Sequence, residues 1–276
     1  MPNIRNLYAP KCIITSSKNT GYYMQIKPAA CLDKFIYCYW ACPLNTCSGP
    51  SGLQPFRNEP VLPDGCVDIV FSVDREKNEY ASKVYGPMDQ PFMAYFRYDK
   101  FQFFGITFYP GAFQPLFKIP LNELRNKIYE TEDALNNSFK NLCREIARAG
   151  SVFDMAASSN QYFSAFLNSF SISSPLSEML NRIYSSRGTV TVKELSQRTI
   201  ISERQINRIF NQWVGINPKT FSRIVRFQNI INPANYTGAF DWTGLALEYG
   251  YYDESHFFNE FKSFYGATPG KYLESI

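Results

Sequence analysis

The sequence predicts an α+β protein of two domains. A β-rich N-terminal barrel or sandwich is followed by a helical connector and an all-α C-terminal region. Three observations carry this. Short β-like runs separated by Gly/Pro turns fill the first 118 residues. Apolar residues at helical spacing follow over 121–170. Between residues 195 and 272 a pattern then occurs twice, each position 51 residues from its counterpart: Ser202, Ile206, Phe210, Gly215, Pro218 and Phe221, then Asp253, Phe257, Phe261, Gly266, Pro269 and Tyr272. A fixed period of this kind means one structural unit used twice.

In the first region, assigned to 1–118, the runs Phe35 to Trp40, Val67 to Val73 and Phe101 to Phe108 are rich in β-branched and aromatic residues. Pro63-Asp64-Gly65, Gly86-Pro87 and Pro110-Gly111 separate them as turns. Alternation along the first run puts Phe35, Tyr37 and Tyr39 on one face and Ile36, Cys38 and Trp40 on the other. The aromatic density (Tyr22, Tyr23, Phe101 and Phe103 also belong to it) suggests either a solid core or an apolar pocket with tyrosine handles. Its candidate lining is Tyr37, Tyr39, Trp40, Phe71, Phe104 and Phe108, for an uncharged or anionic organic effector.

Catalysis finds little support. The chain has one His, which rules out a His-based metal site, and no metal or cofactor is expected. Asp64 and Asp68 share a strand face by alternation, without an acid/base partner in view, and Asp64 reads as a turn residue. Six of seven cysteines fall in the first 66 residues: Cys12, Cys31, Cys38, Cys42, Cys47 and Cys66. An odd count and a start without a secretion-type apolar core point to reduced thiols and a cytoplasmic protein. Their spacings lack the close CxxC pairs that zinc prefers. A thiol-based sensor, or a DNA-repair or alkylation-response protein with a reactive cysteine, remain open as alternatives.

In the connector, 119–173, Leu135, Phe139, Leu142 and Ile146, then Phe163, Phe166, Leu167 and Phe170, keep roughly helical spacing. Domain packing or homodimer contacts are expected there. Ser171 to Pro175 reads as the linker, with Pro175 opening the next helix.

The C-terminal region, 174–276, is the most legible. Val190 to Arg198 reads as a short amphipathic helix and Thr199 to Ile201 as a turn. Ser202 is a good N-cap. Ile206, Ile209, Phe210 and Trp213 then make one buried stripe, Gly215 a left-handed stop, and Asn217-Pro218 a restart for a long helix to Asn232. The second copy runs Trp242 to Tyr249, Gly250 in the turn, Asp253 as cap, Gly266 as stop and Thr268-Pro269 as restart. Each copy is a helix-turn-helix, and a pair suits two segments of a DNA major groove.

With the stripes buried, the first open face is Glu203, Arg204, Gln205, Asn207, Arg208, Asn211 and Gln212. Arg, Gln and Asn make bidentate contacts to guanine and adenine edges. The second is Glu254, Ser255, His256, Asn259, Glu260, Lys262 and Ser263. Base readers are therefore expected at Arg204, Gln205, Asn207, Arg208, Asn211, Ser255, His256 and Asn259. Phosphate contacts are expected at Ser202, Lys219, Arg223, Arg226, Lys262 and Lys271, with a salt bridge between the units as the alternative for Arg226. Residues 174–276 hold 11 Lys and Arg against 9 Asp and Glu, so placed contacts matter more than bulk charge.

The stretches ISERQINRIFNQWVGINPKTFSRIVRFQNII (Ile201 to Ile231) and LALEYGYYDESHFFNEFKSFYGATPGKYL (Leu245 to Leu273) resemble the AraC/XylS family of transcriptional regulators. The resemblance implies two helix-turn-helix units joined by a long helix on promoter DNA, with RNA polymerase and a second copy of the chain as partners. This sequence departs from the pattern at Ile200, where the family has Gly, so a distorted first turn is expected. It departs again at Pro233 to Phe240, a longer link between the units. LPDGCVDIVF (Leu62 to Phe71) and FGITFYPGAF (Phe104 to Phe113) are similar to the N-terminal domain of an AraC-like subgroup, which implies a cupin-like barrel that senses a ligand or dimerises.

Overall fold

A computed structural model describes residues 4–11, 23–42, 56–77, 79–97, 100–135, 137–169, 172–232 and 241–275. The link at Pro233 to Phe240, together with Tyr22, Cys12, Cys47, Phe170 and Ser171, lies outside the described residues. The chain runs α1 (Ile4–Leu7), β1 (Met24–Ile26), β2 (Ile36–Cys42), β3 (Phe56–Val61), β4 (Val67–Asp74), β5 (Glu79–Tyr85), β6 (Phe92–Arg97) and β7 (Gln102–Phe108). It continues as α2 (Gln114–Phe117), α3 (Leu121–Leu124), β8 (Ile128–Glu130), α4 (Thr131–Ala134), α5 (Phe139–Arg148) and α6 (Val152–Ser164). The C-terminal helices are α7 (Ser174–Ser185), α8 (Val192–Thr199), α9 (Glu203–Trp213), α10 (Pro218–Ile230), α11 (Trp242–Glu248), α12 (Glu254–Tyr265) and α13 (Pro269–Ser275).

The β strands form an open antiparallel sheet in the order β1-β2-β7-β4-β5-β8, with the antiparallel pair β3-β6 as a second layer. The three strands read from the sequence are neighbours in it, β2-β7-β4, and none is an edge strand. Tyr39, Ala41, Ile69, Phe71, Phe104, Ile106 and Phe108 face the helices. There Phe71 stacks near Phe139 of α5 at 6.1 Å, and Phe108 meets Phe163 of α6 at 5.3 Å. Cys38, Trp40, Cys42 and Phe103 face the other way, against Ala94 and Phe96 of β6.

Two expectations change. Alternation along β2 breaks at a register shift between Ile36 and Cys38, so Ile36 joins Tyr39 in the helix-facing core. An extra residue in one strand re-aims the side chains on one side of it. The connector is not wholly helical: Ile128–Glu130 pairs with β5 as the last strand of the sheet. One hydrophobic core runs from the sheet through α5 and α6 into α7, α9, α10 and α12, and a second, smaller one fills the space between the two β layers.

The β layer touches the C-terminal helices at defined points. Gly65, at φ +71°, lies so close to Phe221 of α10 that a Cβ there would sit 2.6 Å from the ring. Gln228 of α10 donates to the Pro63 carbonyl at 2.8 Å. Tyr8 stacks on Tyr184 of α7 at 4.6 Å and donates to the Asp64 carbonyl at 2.6 Å.

Candidate nucleic-acid interface

The two helix-turn-helix units form as their residues dictate. Thr191 and Glu194 make a reciprocal capping box at the start of α8. Ser202 accepts from the Gln205 amide to open α9, and Asp253 accepts from the His256 amide to open α12. Ile206 and Phe210 in the first unit, and Phe257 and Phe261 in the second, are buried. Gly215 and Gly266 end these helices at φ +79° and +86°, the left-handed region where a side chain is strained. Asn217 caps the long joining helix α10.

The turns differ in a way the 51-residue register conceals. Ile200 holds the left-handed conformation at φ 57° two residues before its cap, whereas Gly250 holds it at φ +70° three residues before its own. The first turn therefore keeps the left-handed geometry expected of glycine. The expectation of a distorted turn is corrected: the strain is carried by Ile200 itself, 93% exposed and β-branched.

On α9, Arg204, Gln205, Arg208 and Asn211 are exposed on the face opposite the buried stripe. Asn207 is half-buried and donates to the Glu203 carbonyl at 2.8 Å, turned toward its own helix. On α12, Ser255, His256 and Asn259 are exposed. Lys219, Arg223, Arg226, His256 and Asn259 come together along a groove of about 710 Å³ between the two units. Ser202, Lys262 and Lys271 are exposed on the remaining surface.

Glu260 is a correction. It is 4% exposed and not on the open face. Arg223 Nε donates to its Oε2 at 2.6 Å, Tyr251 Oη donates to Oε1 at 2.7 Å, and Arg226 Nε lies 3.5 Å from Oε1. Arg226 also lies 4.4 Å over the Tyr251 ring and donates to the Tyr249 carbonyl at 3.3 Å. Burial, with the Glu260 charge beside it, pushes the Tyr251 phenol well up. Arg226 is thus an ion-pair partner that ties α10 to the second unit, and Arg223 shares that carboxylate while still half-exposed. The signal was in the repeat: Glu260 stands 51 residues from Ile209, a stripe position.

In the N-terminal domain, a cavity of about 50 Å³ lies between the two β layers. Of the six residues expected to line a pocket, only Trp40 does so. Tyr39, Phe71, Phe104 and Phe108 fill the helix-facing core and Tyr37 packs edge-on to Tyr109, so they are corrected to packing residues. The walls instead include Asp64, Asp68, Tyr85, Met88, Phe92 and Phe96. Asp64 is buried, and its Oδ1 accepts from the Cys66 amide at 2.9 Å, as a turn residue does. Its Oδ2 has no partner. Asp68 Oδ1 accepts from the Thr107 hydroxyl and, at 3.3 Å, from Trp40 Nε1. Burial raises the pKa of both carboxyls. Sequence reasoning saw this pair share a strand face but not that β3 and β6 would cover it. An anionic effector would meet repulsion beside these carboxylates, whereas the expected uncharged effector would not.

Among the described cysteines only Cys31 is exposed. Burial pushes the Cys38 and Cys143 thiols up, away from the thiolate that reactive cysteines need. No group of three metal-ligating side chains occurs among the described residues, and no helix there is long and apolar enough to cross a membrane.

The fold and these faces define a double helix-turn-helix DNA-binding module fused to a β-rich domain. Residues 195–275 match the helix-turn-helix domain family, and residues 24–130 match a domain of unknown function (DUF6597). An uncharacterized HTH-type transcriptional regulator from Haemophilus influenzae is 31% identical over 85 residues, which span 31% of this chain and 28% of that protein. Crystal structures of ToxT from Vibrio cholerae are similar at 13% identity. One, the apo form of a single-residue variant, has a TM-score of 0.41 and covers 82% of this chain and 99% of its own. Another, bound to (E)-4-(8-methylnaphthalen-1-yl)but-3-enoic acid, has a TM-score of 0.43 and covers 81% and 96%.

Proposed function

We propose that the chain is a sequence-specific, DNA-binding transcriptional regulator whose N-terminal domain responds to a small molecule. The observation that carries this is the exposed row Arg204, Gln205, Arg208 and Asn211 on a helix whose opposite side, Ile206 and Phe210, is fully buried. Capped at its N-terminus by Ser202, this helix presents the side chains that read guanine and adenine edges in a major groove. The exposed Ser255, His256 and Asn259 of α12 serve as the second reader. Lys219, Lys262, Lys271 and the free edge of Arg223 hold phosphates. The chain binds as a homodimer and acts on RNA polymerase at promoters, as regulators of this architecture do, in the compartment that holds the DNA.

The test is selection of bound sequences from a random duplex pool, followed by titration of variants on the selected site. Arg204→Ala is expected to cost about 1–3 kcal/mol on the selected site and little on random DNA. Lys219→Ala is expected to weaken both equally and to lower the salt slope by about one unit. Failure to enrich any sequence would overturn the reading.

A further inference from the structure

We propose that the cavity between the two β layers binds the cationic head of a small organic amine or amidine, held between Asp64 and Asp68 and an aromatic wall. The inference rests on the reading of the N-terminal domain as a sensor and names the ligand class of that site.

The chemistry converges there. The cavity walls carry two carboxylates and, among the described residues, no Lys, Arg or His. Asp64 is 6% exposed and lines the cavity, and its Oδ2 is buried without a hydrogen-bond partner. A buried polar atom without a partner is costly in a folded protein and marks a place where something binds. An ammonium or amidinium supplies the missing N–H donors and the opposite charge together. Trp40, Tyr85, Phe92 and Phe96 complete the wall, and aromatic faces attract cations. Trp40 is held flat by Gly105, where a Cβ would lie 2.0 Å from the indole. Its Nε1 is already directed at Asp68. Burial raises the pKa of the pair, which a bound cation would reverse. The free volume of about 50 Å³ suits a head group and not a whole metabolite, and half-exposed wall residues such as Met88 and Phe92 leave room for the rest of the ligand outside it.

The site also sits where a signal has a route out. The turn that carries Asp64 is the one that meets the DNA-binding half. Pro63 accepts from Gln228, Gly65 abuts Phe221, and the Asp64 carbonyl accepts from Tyr8, itself stacked on Tyr184. A ligand that moves Asp64 therefore presses on α10, the helix joining the two DNA-reading units.

The experiment uses the full chain at pH 8 and constant ionic strength. Thermal melts are recorded with methylamine, butylamine, benzylamine, benzamidine or agmatine at 20 mM, against butanol, benzyl alcohol, butyrate and benzoate. At least one cation is expected to raise Tm by about 2–5 °C, with little effect from the neutral and anionic partners. Asp64→Asn, which keeps the acceptor for the Cys66 amide, is expected to abolish the shift, and Asp68→Asn to reduce it. No shift from any cation, an equal shift from the matched alcohol, or a full shift in Asp64→Asn would overturn the site; the wild-type comparison alone decides this should a variant fail to fold. Sequence selection without ligand is run in parallel. DNA recognition without an amine response removes this inference alone, whereas an amine response without DNA recognition removes the regulator reading and leaves the site.

Discussion

In the first helix-turn-helix unit, Gly215 faces the β domain so closely that a Cβ would lie 2.6 Å from the Leu121 carbonyl oxygen and from Pro87 Cγ. In the second, Gly266, its counterpart 51 residues on, has only Pro91 Cγ at 4.0 Å. The local structure is the same, with a capped helix, a buried stripe and a left-handed glycine stop in both. The surroundings are not. In the first unit α9 packs on α3, and Phe221 at the start of α10 packs on the Gly65 turn. The second is fastened chiefly to α10, through Glu260 with Arg223 and Arg226 and through Phe227 against Phe261 and Phe264 at 5.4 Å each. A repeated sequence thus specifies a repeated shape, while tertiary contacts give the copies different roles. One is anchored to the domain that holds the cavity, and the other is carried on a lever.

The contrast can be broken most forcefully at Glu260. Glu260→Gln leaves Arg226 buried without its counter-charge and is expected to cost about 3–5 kcal/mol in chemical denaturation. The loss should centre on the second unit, with amide exchange of α12 rising before that of α9. Equal loosening of both units would contradict the lever picture.

Next come the two glycine stops. Gly266→Ala carries the left-handed strain alone, about 1–2 kcal/mol. Gly215→Ala adds an overlap with a backbone carbonyl and a proline ring, and about 2–4 kcal/mol is expected. Paired melts of the two variants measure how firmly the first unit is anchored, and equal losses would remove the anchor.

A smaller effect of opposite sign is expected at the turns. Ile200→Gly relieves a strained φ and buries nothing, so stability should rise by up to about 1 kcal/mol, offset in part by the added freedom of the unfolded chain. Gly250→Ile in the other copy should lower it by about 1–2 kcal/mol. Smallest is the ion pair of Arg187 with Glu248, 2.8 Å apart and more than half exposed on both sides. Glu248→Gln should change stability by about 0.5 kcal/mol or less, and less again in high salt.

The sequence by itself determined the local elements of the C-terminal half and most of the side chains that α9 and α12 leave exposed, Asn207 and Glu260 excepted. Caps, stops and helical stripes are set by residues three or four apart, and those distances are visible in a linear chain. The three neighbouring strands β2, β7 and β4 were legible for the same reason, as dense β-branched and aromatic runs between turns. Only the tertiary structure decided the rest. Which face of the sheet would be closed by helices and which by β3 and β6 depends on partners distant in sequence, and a register shift in β2 moved Ile36 across. Five candidate pocket residues therefore became core, and the turn aspartate Asp64 became a cavity wall. Glu260 is polar by type, but Arg223, Arg226 and Tyr251 let it be buried at a stripe position. Such charges are placed by their counter-charges and hydrogen-bond donors, and those lie 9 to 37 residues away.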